Sequence, residues 1–217
     1  MSHDILNINQ AVLSAIELMT ESSKADEGAK RRARKVESQI RISTQIFESM
    51  KLLCVTRRAG GMPSDPVDLN DAVEKAVSES EEMFKDRSVS VEFTRSAGAP
   101  AVKGGAIVKE LLLDSLMGLI QLDNSERPSI ELRVEKGEGE VSPSWVVVFR
   151  DENVSVPASL ALDSIGEMSD DSRTRMVRLA GLVLARVITE KLGGAFRIAS
   201  SDEETVLEIV LLEADVS

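Results

Sequence analysis

The chain has 217 residues, 42% of them apolar, with one histidine, one cysteine, one tryptophan and no tyrosine. Its net charge of −11 argues against a free-standing nucleic-acid binder, and six aromatics are too few for a base-stacking platform. One cysteine excludes an internal disulfide framework, and with a single histidine it excludes the usual zinc sites, so any imidazole chemistry passes through His3.

The chain opens on Ile5, Ile8, Val12, Ala15 and Met19, spaced 3, 4, 3, 4. After a polar break from Thr20 to Asp26, Ala29, Ala33, Val36, Ile40, Ser43, Phe47, Met50 and Cys54 follow at 4, 3, 4, 3, 4, 3, 4. Both are heptad seams without an internal Gly or Pro, the period of helices packing at shallow angles. The second helix, over 28–58, is about 46 Å long at about 1.5 Å per residue. Leu6, Leu13, Ile16, Ile42, Ile46 and Leu53 widen the stripe beyond what a two-helix hairpin can bury. A homodimeric four-helix bundle is therefore expected, the competing arrangement being intramolecular docking onto the rest of the chain. Cys54, on the seam, is expected as a small core residue, and the basic run from Lys30 to Lys35 as a solvated helix face.

Charge changes sign along the chain: residues 1–58 carry a net +3 and residues 59–217 a net −14. The switch falls in the Gly/Pro/Ser-rich stretch Arg57 to Pro66, which predicts two domains, 1–62 and 63–217. No apolar run reaches the length of a membrane span and the start lacks a signal peptide, so a cytosolic protein without membrane contact is expected.

In the second segment, residues 69–84, with Leu69, Ala72, Val73, Ala76 and Met83, have a helical pattern with Asp68 as N-cap. Ser88 to Phe93 alternates as a strand with Val89, Val91 and Phe93 on one face. Residues 105–122 form a strongly apolar helix. Ile130 to Val134 and Trp145 to Phe149 pair as a hairpin through the Gly137-Glu138-Gly139 region. Residues 173–192 are helical and stop at Gly193-Gly194, after which Ala195 to Ala199 and Val206 to Leu212 close a sheet. The order α-β-α-β-β-α-β-β predicts an α+β fold: a helical hairpin followed by a two-layer sandwich with helices on one face of a mixed sheet.

Ser2-His3-Asp4-Ile5-Leu6-Asn7-Ile8-Asn9-Gln10 resembles the phospho-acceptor box of sensor histidine kinases, in the form found in archaeal, methanogen-type kinases. Pro66-Val67-Asp68-Leu69 resembles the entry to their ATP-binding (GHKL-type) domain, and Gly193-Gly194 with Glu204-Thr205-Val206-Leu207 resembles its end. The resemblance covers nearly the whole chain. It implies three roles: His3 as phospho-acceptor, Asp4 as the acid that orients its ring, and Asn7 as the amide that positions a water for dephosphorylation. Chemically, a histidine nucleophile needs one ring nitrogen free, a carboxylate beside it steadies the other, and a residue four positions on shares the helix face.

The nucleotide boxes depart from that family. Where it has a Mg²⁺-holding Asn, this chain has Gly118, and Asp114 and Gln121 replace an Asn and a Lys. A lone Asp114 could contact a cation, though a carboxylate on such a helix is more commonly solvated or capped. Asp151 occupies the place of the adenine-recognising carboxylate, but the glycines after it are Asn153 and Ser155, and of the third box only Gly181 remains. With a charge of −14 in the same segment, Asp151 is expected to be a relic or surface acid. No cofactor is expected, ATP being bound weakly or not at all.

The expected function is two-component histidine phosphotransfer through His3, to and from receiver domains of response regulators that bring their own Mg²⁺. The alternatives are an active histidine kinase with unusual boxes, a non-catalytic pseudokinase scaffold, and a receiver phosphatase that uses Asn7.

Overall fold

The computed structural model describes residues 2–21, 26–58, 60–137, 143–154, 170–201 and 204–214; the side chains of residues 2–6, 19, 21 and 170–177 lie outside the description. Two helices open the chain, α1 (Ser2–Glu21) and α2 (Glu27–Arg58). They are followed by β1 (Pro66–Asp68), α3 (Leu69–Met83), β2 (Ser90–Thr94), β3 (Ala101–Lys103), α4 (Ile107–Leu122), β4 (Ser129–Lys136) and β5 (Ser144–Asp151). The chain then runs through α5 (Asp170–Lys191), β6 (Ala195–Ser200) and β7 (Thr205–Leu212). The hairpin and the α+β order agree with the sequence patterns. The short pair β1–β3, antiparallel from Pro66↔Lys103 to Asp68↔Ala101, was not legible because three residues carry no period.

Five strands form one mixed sheet in the order β2-β4-β5-β7-β6, parallel only between β2 and β4. Inner faces follow the two-residue alternation. On β5, Trp145, Val147, Phe149 and Asp151 all point under the helices, paired across the ladder with Leu211, Ile209, Leu207 and Thr205 of β7. Val89, Val91 and Phe93 pack together against the core, as their alternation requires. The outer face is charged, with Arg150–Glu204 and Arg197–Glu208 pairs along it. The join between β4 and β5 lies outside the described residues.

The core centres on α4, where every residue from Leu111 to Ile120 is buried. A helix that is apolar all round must be covered all round, and α4 is: by the sheet below, α3 and α5 on its flanks, and α2 above. Asp68 caps α3 by accepting a hydrogen bond from the Asp71 amide at 3.1 Å. Asp68→Ala should therefore lower stability by about 1 kcal/mol, read as a shifted urea midpoint at unchanged slope.

The hairpin's broad apolar stripe is divided between two uses. Leu13 and Ile16 of α1 are buried, and Asn9 Nδ2 donates to Thr44 Oγ1 at 3.0 Å, which sets the register of α1 on α2. A different face of α2, carrying Ser38, Ile42, Gln45, Ser49 and Thr56, is buried, and Ile42 joins the core of the sandwich. Docking within the chain thus does occur. The seam it leaves free is the heptad one: Ile8, Val12, Val36, Phe47 and Met50 are exposed. Cys54 is also exposed, contrary to expectation, because it faces away from the sandwich. Arg31, Arg32, Arg34 and Lys35 are exposed, a solvated face as expected. Among the described residues no helix is long and apolar enough to cross a membrane.

Candidate functional site

His3 and Asp4 lie in the first turn of α1, and their side chains lie outside the description. Asn7 is exposed on the same helix. With Asn9 set opposite Ser43 and Thr44, two antiparallel helices of equal rise bring the first turn of α1 to the level of Ser49 and Met50. That level is where α2 meets α4.

At this meeting point Gln45 Nε2 donates toward three acceptors: Glu110 Oε2 at 2.8 Å, Ser49 Oγ at 3.2 Å and Asp114 Oδ1 at 3.3 Å. Asp114 is fully buried, and its Oδ2 has no hydrogen-bond partner. This overturns the expectation of a solvated or capped side chain, because α2 covers the face of α4 that carries it. Burial pushes its carboxyl up to about 7, against hydrogen bonds from Ser49 and Gln45 that favour the ionised form and with Glu110 adding repulsion. Gln45 and Ser49 were missed in the sequence. Their signal was there: Ser38, Gln45, Ser49 and Thr56 are spaced 7, 4, 7, a polar seam beside the apolar one.

One turn further along α4, Gly118 touches α5. A β-carbon on Gly118 would lie 2.6 Å from Leu182 Cγ, and one on Gly181 would fall on the backbone oxygen of Asp114. The two glycines let α4 and α5 close on each other, with Leu182 filling the space beside Gly118.

Asp151 ends the inner row of β5 and is fully buried, which corrects its reading as a surface acid. The cause is the alternation from Trp145 that a strand imposes. Its Oδ1 accepts from the Asn153 amide at 2.8 Å, while Oδ2 is unpartnered. Burial pushes this carboxyl up to about 6, opposed by the Asn153 amide and assisted by the Asp123 charge. Gln121 Nε2, Asp123 Oδ2 and Ser125 Oγ are also buried without partners, at the end of α4 that Arg87 ties down through the carbonyls of Ile120, Asp123 and Ser125. A carboxyl that titrates higher in the folded chain than when free contributes stability below about pH 4 and loses it as pH rises through its folded value. Stability should therefore fall from pH 4 to 6 on account of Asp151, by up to about 1.4 kcal/mol per pH unit. Asp151→Asn should remove that share of the slope, leaving the share due to the likewise raised Asp114, in urea melts run across the range.

No family profile matches the sequence, and no curated protein matches it. Solved structures do. The mycobacterial sensor histidine kinase MprB superposes with a TM-score of 0.54 at 16% identity, over 70% of this chain and 99% of its own. The catalytic domain of the histidine kinase ThkA gives 0.55 at 15%, over 70% and 97%. The Acinetobacter baumannii histidine kinase AdeS gives 0.57 at 15%, over 97% and 96%, so this match runs through hairpin and sandwich together. The fold is that of a sensor histidine kinase.

The inner end of β5 carries buried polar groups, with Asp151 beside Thr205 across the ladder. Among the described residues, those that the resemblance assigns to the phosphate boxes do not fit a magnesium triphosphate. Gly118 offers no ligand, Leu182 packs against it, and Asp114 is turned to α2. Asn153 lacks the positive φ that a glycine there would permit, and Gly181 is kept by helix packing. Ser155 lies outside the described residues. Among the described residues, no cluster of three or more His, Cys, Asp or Glu side chains forms that could hold a metal ion.

Proposed function

We propose that this chain is a histidine phosphotransfer protein of two-component signalling, built on a kinase fold whose phosphate cleft has closed. The observation that carries the reading is the direct contact of α4 and α5 at Gly118, Gly181 and Leu182. On this reading Mg-ATP binds weakly or not at all. His3 takes a phosphoryl group from the acyl phosphate of a receiver aspartate: the P–O bond to the carboxylate breaks, an N–P bond forms, and the carboxylate leaves. Asp4 holds the ring's other nitrogen, Asn7 positions water for dephosphorylation, and the receiver supplies Mg²⁺. The reverse step hands the group to a second receiver. The mildly basic hairpin suits an acidic partner surface.

The test is to incubate the protein with radiolabelled ATP and, separately, with phosphorylated receiver domains. Label from receivers alone supports the reading, and label from ATP alone supports a kinase. Binding without label supports a scaffold, and phosphate release that survives His3→Ala but not Asn7→Ala supports a phosphatase.

The exposed seam of Ile8, Val12, Val36, Phe47 and Met50 supports a homodimer through a four-helix bundle, since a second copy offers the same heptad spacing. Light scattering should give twice the 23.6 kDa of one chain. Phe47→Glu with Met50→Glu should return it to one.

A further inference from the structure

We propose that Gln45, Ser49, Glu110 and Asp114 form a proton-operated clasp, which holds α2 on α4 while Asp114 is protonated and lets the two part when it ionises. The proposal does not rest on His3 chemistry.

The hydrogens at this contact are too few for its acceptors. Gln45 Nε2 has two to give and faces three acceptors, two of them carboxylates one turn apart on α4. Ser49 has one more, directed to Asp114. Asp114 Oδ2 receives nothing. With both carboxyls ionised, two like charges share an apolar contact with too few donors, which is costly in a low-dielectric site. A proton on Asp114 removes one of the two charges, and with it the need of that carboxylate for further donors.

The surrounding charges do not relieve Asp114. On α4, Lys109 is engaged by Glu110 Oε1 at 2.9 Å and by Glu79 of α3 at 2.7 Å, and its charge only weakly offsets the burial of Asp114. From α5, Gly181 brings backbone to the Asp114 carbonyl, and Arg178 is turned to Asn124. From α2, only the neutral Gln45 and Ser49 reach it, Arg41 being paired with Glu37 and Glu17. Burial pushes Asp114 up to about 7, so the exchange falls near neutral pH. Because the docked value is raised, docking is strongest at low pH and is lost as pH rises through it.

A second tie makes the motion a pivot. Ser38 Oγ donates toward the Met83 carbonyl and Asp86 Oδ1, at 2.9 and 2.6 Å, and neither depends on Asp114. Opening at Gln45 and Ser49 would swing α2 about Ser38 and free its buried face at the level of the first turn of α1.

The test is hydrogen exchange read by mass spectrometry on the full chain, corrected for the intrinsic pH dependence of exchange. Protection of the α2 segment around residues 42–53 should drop about tenfold from pH 6 to pH 8, the factor expected for one proton titrating near 7 in the closed form. Strands β5 and β7 should stay protected at both. Asp114→Asn, neutral at every pH and carrying its own N–H donors, should show no drop. Ser49→Ala, which removes a hydrogen bond to the ionised form, should move the midpoint up. Equal protection of wild type at pH 6 and 8, an unaltered drop in Asp114→Asn, or a midpoint unmoved or lowered in Ser49→Ala would each overturn the clasp.

Discussion

His3→Ala is expected to abolish labelling of the chain by a phosphorylated receiver domain, by about a thousand-fold or more, the scale on which covalent nucleophiles are lost. No other group can stand in, because the chain has a single histidine. Phosphoryl transfer between an acyl phosphate and an imidazole needs a neutral ring nitrogen at the surface. Asn7, exposed one turn on, is expected to be dispensable for acceptance: Asn7→Ala should label like wild type and lose phosphate more slowly. The measurement is the fraction of label on the chain against time. Receiver-derived label that persists in His3→Ala would end the phosphotransfer reading.

Gly181→Ala should destabilise the protein by about 3 kcal/mol, the upper end of overpacking costs. Its β-carbon would fall on the backbone oxygen of Asp114, with the Gly118 amide 3.1 Å away. A backbone carbonyl cannot rotate aside as a side chain does. To make room α4 would have to move, yet it is held by the sheet, α3 and α2. Gly118→Asn, which reinstates the residue type the resemblance implies, tests the same contact from the other side. The Leu182 side chain can partly turn away but its backbone nitrogen, 3.0 Å from the added β-carbon, cannot, and a polar amide would enter a buried contact, at a cost of about 1–3 kcal/mol. Urea midpoints at constant slope would measure both. If Gly118→Asn were neutral and also brought micromolar Mg-ATP affinity, the cleft would be shown to be open.

Much of the architecture was readable because it is local. Heptad spacing outlined both hairpin helices, Asp68 announced a cap, and alternation marked the strands of the sheet. Substitution at Gly118 and Asn153 was likewise a local fact, and it already argued against a phosphate site. The burial of Asp151 was also within reach, since Trp145, Val147, Phe149 and Asp151 keep one two-residue period.

The remainder depended on which elements meet. By itself the sequence determined the elements, their order, the lone histidine beside an acid, and the residue types at 118, 153 and 155, for these are properties of neighbours along the chain. Only the tertiary structure decided that Gly181 is a packing glycine, that the polar seam of α2 faces α4, and that Asp114 is a buried acceptor there. Burial and desolvation depend on surfaces brought together from distant positions: Gln45 and Asp114 are 69 residues apart, and no spacing along the chain shows that one amide must serve two carboxyls.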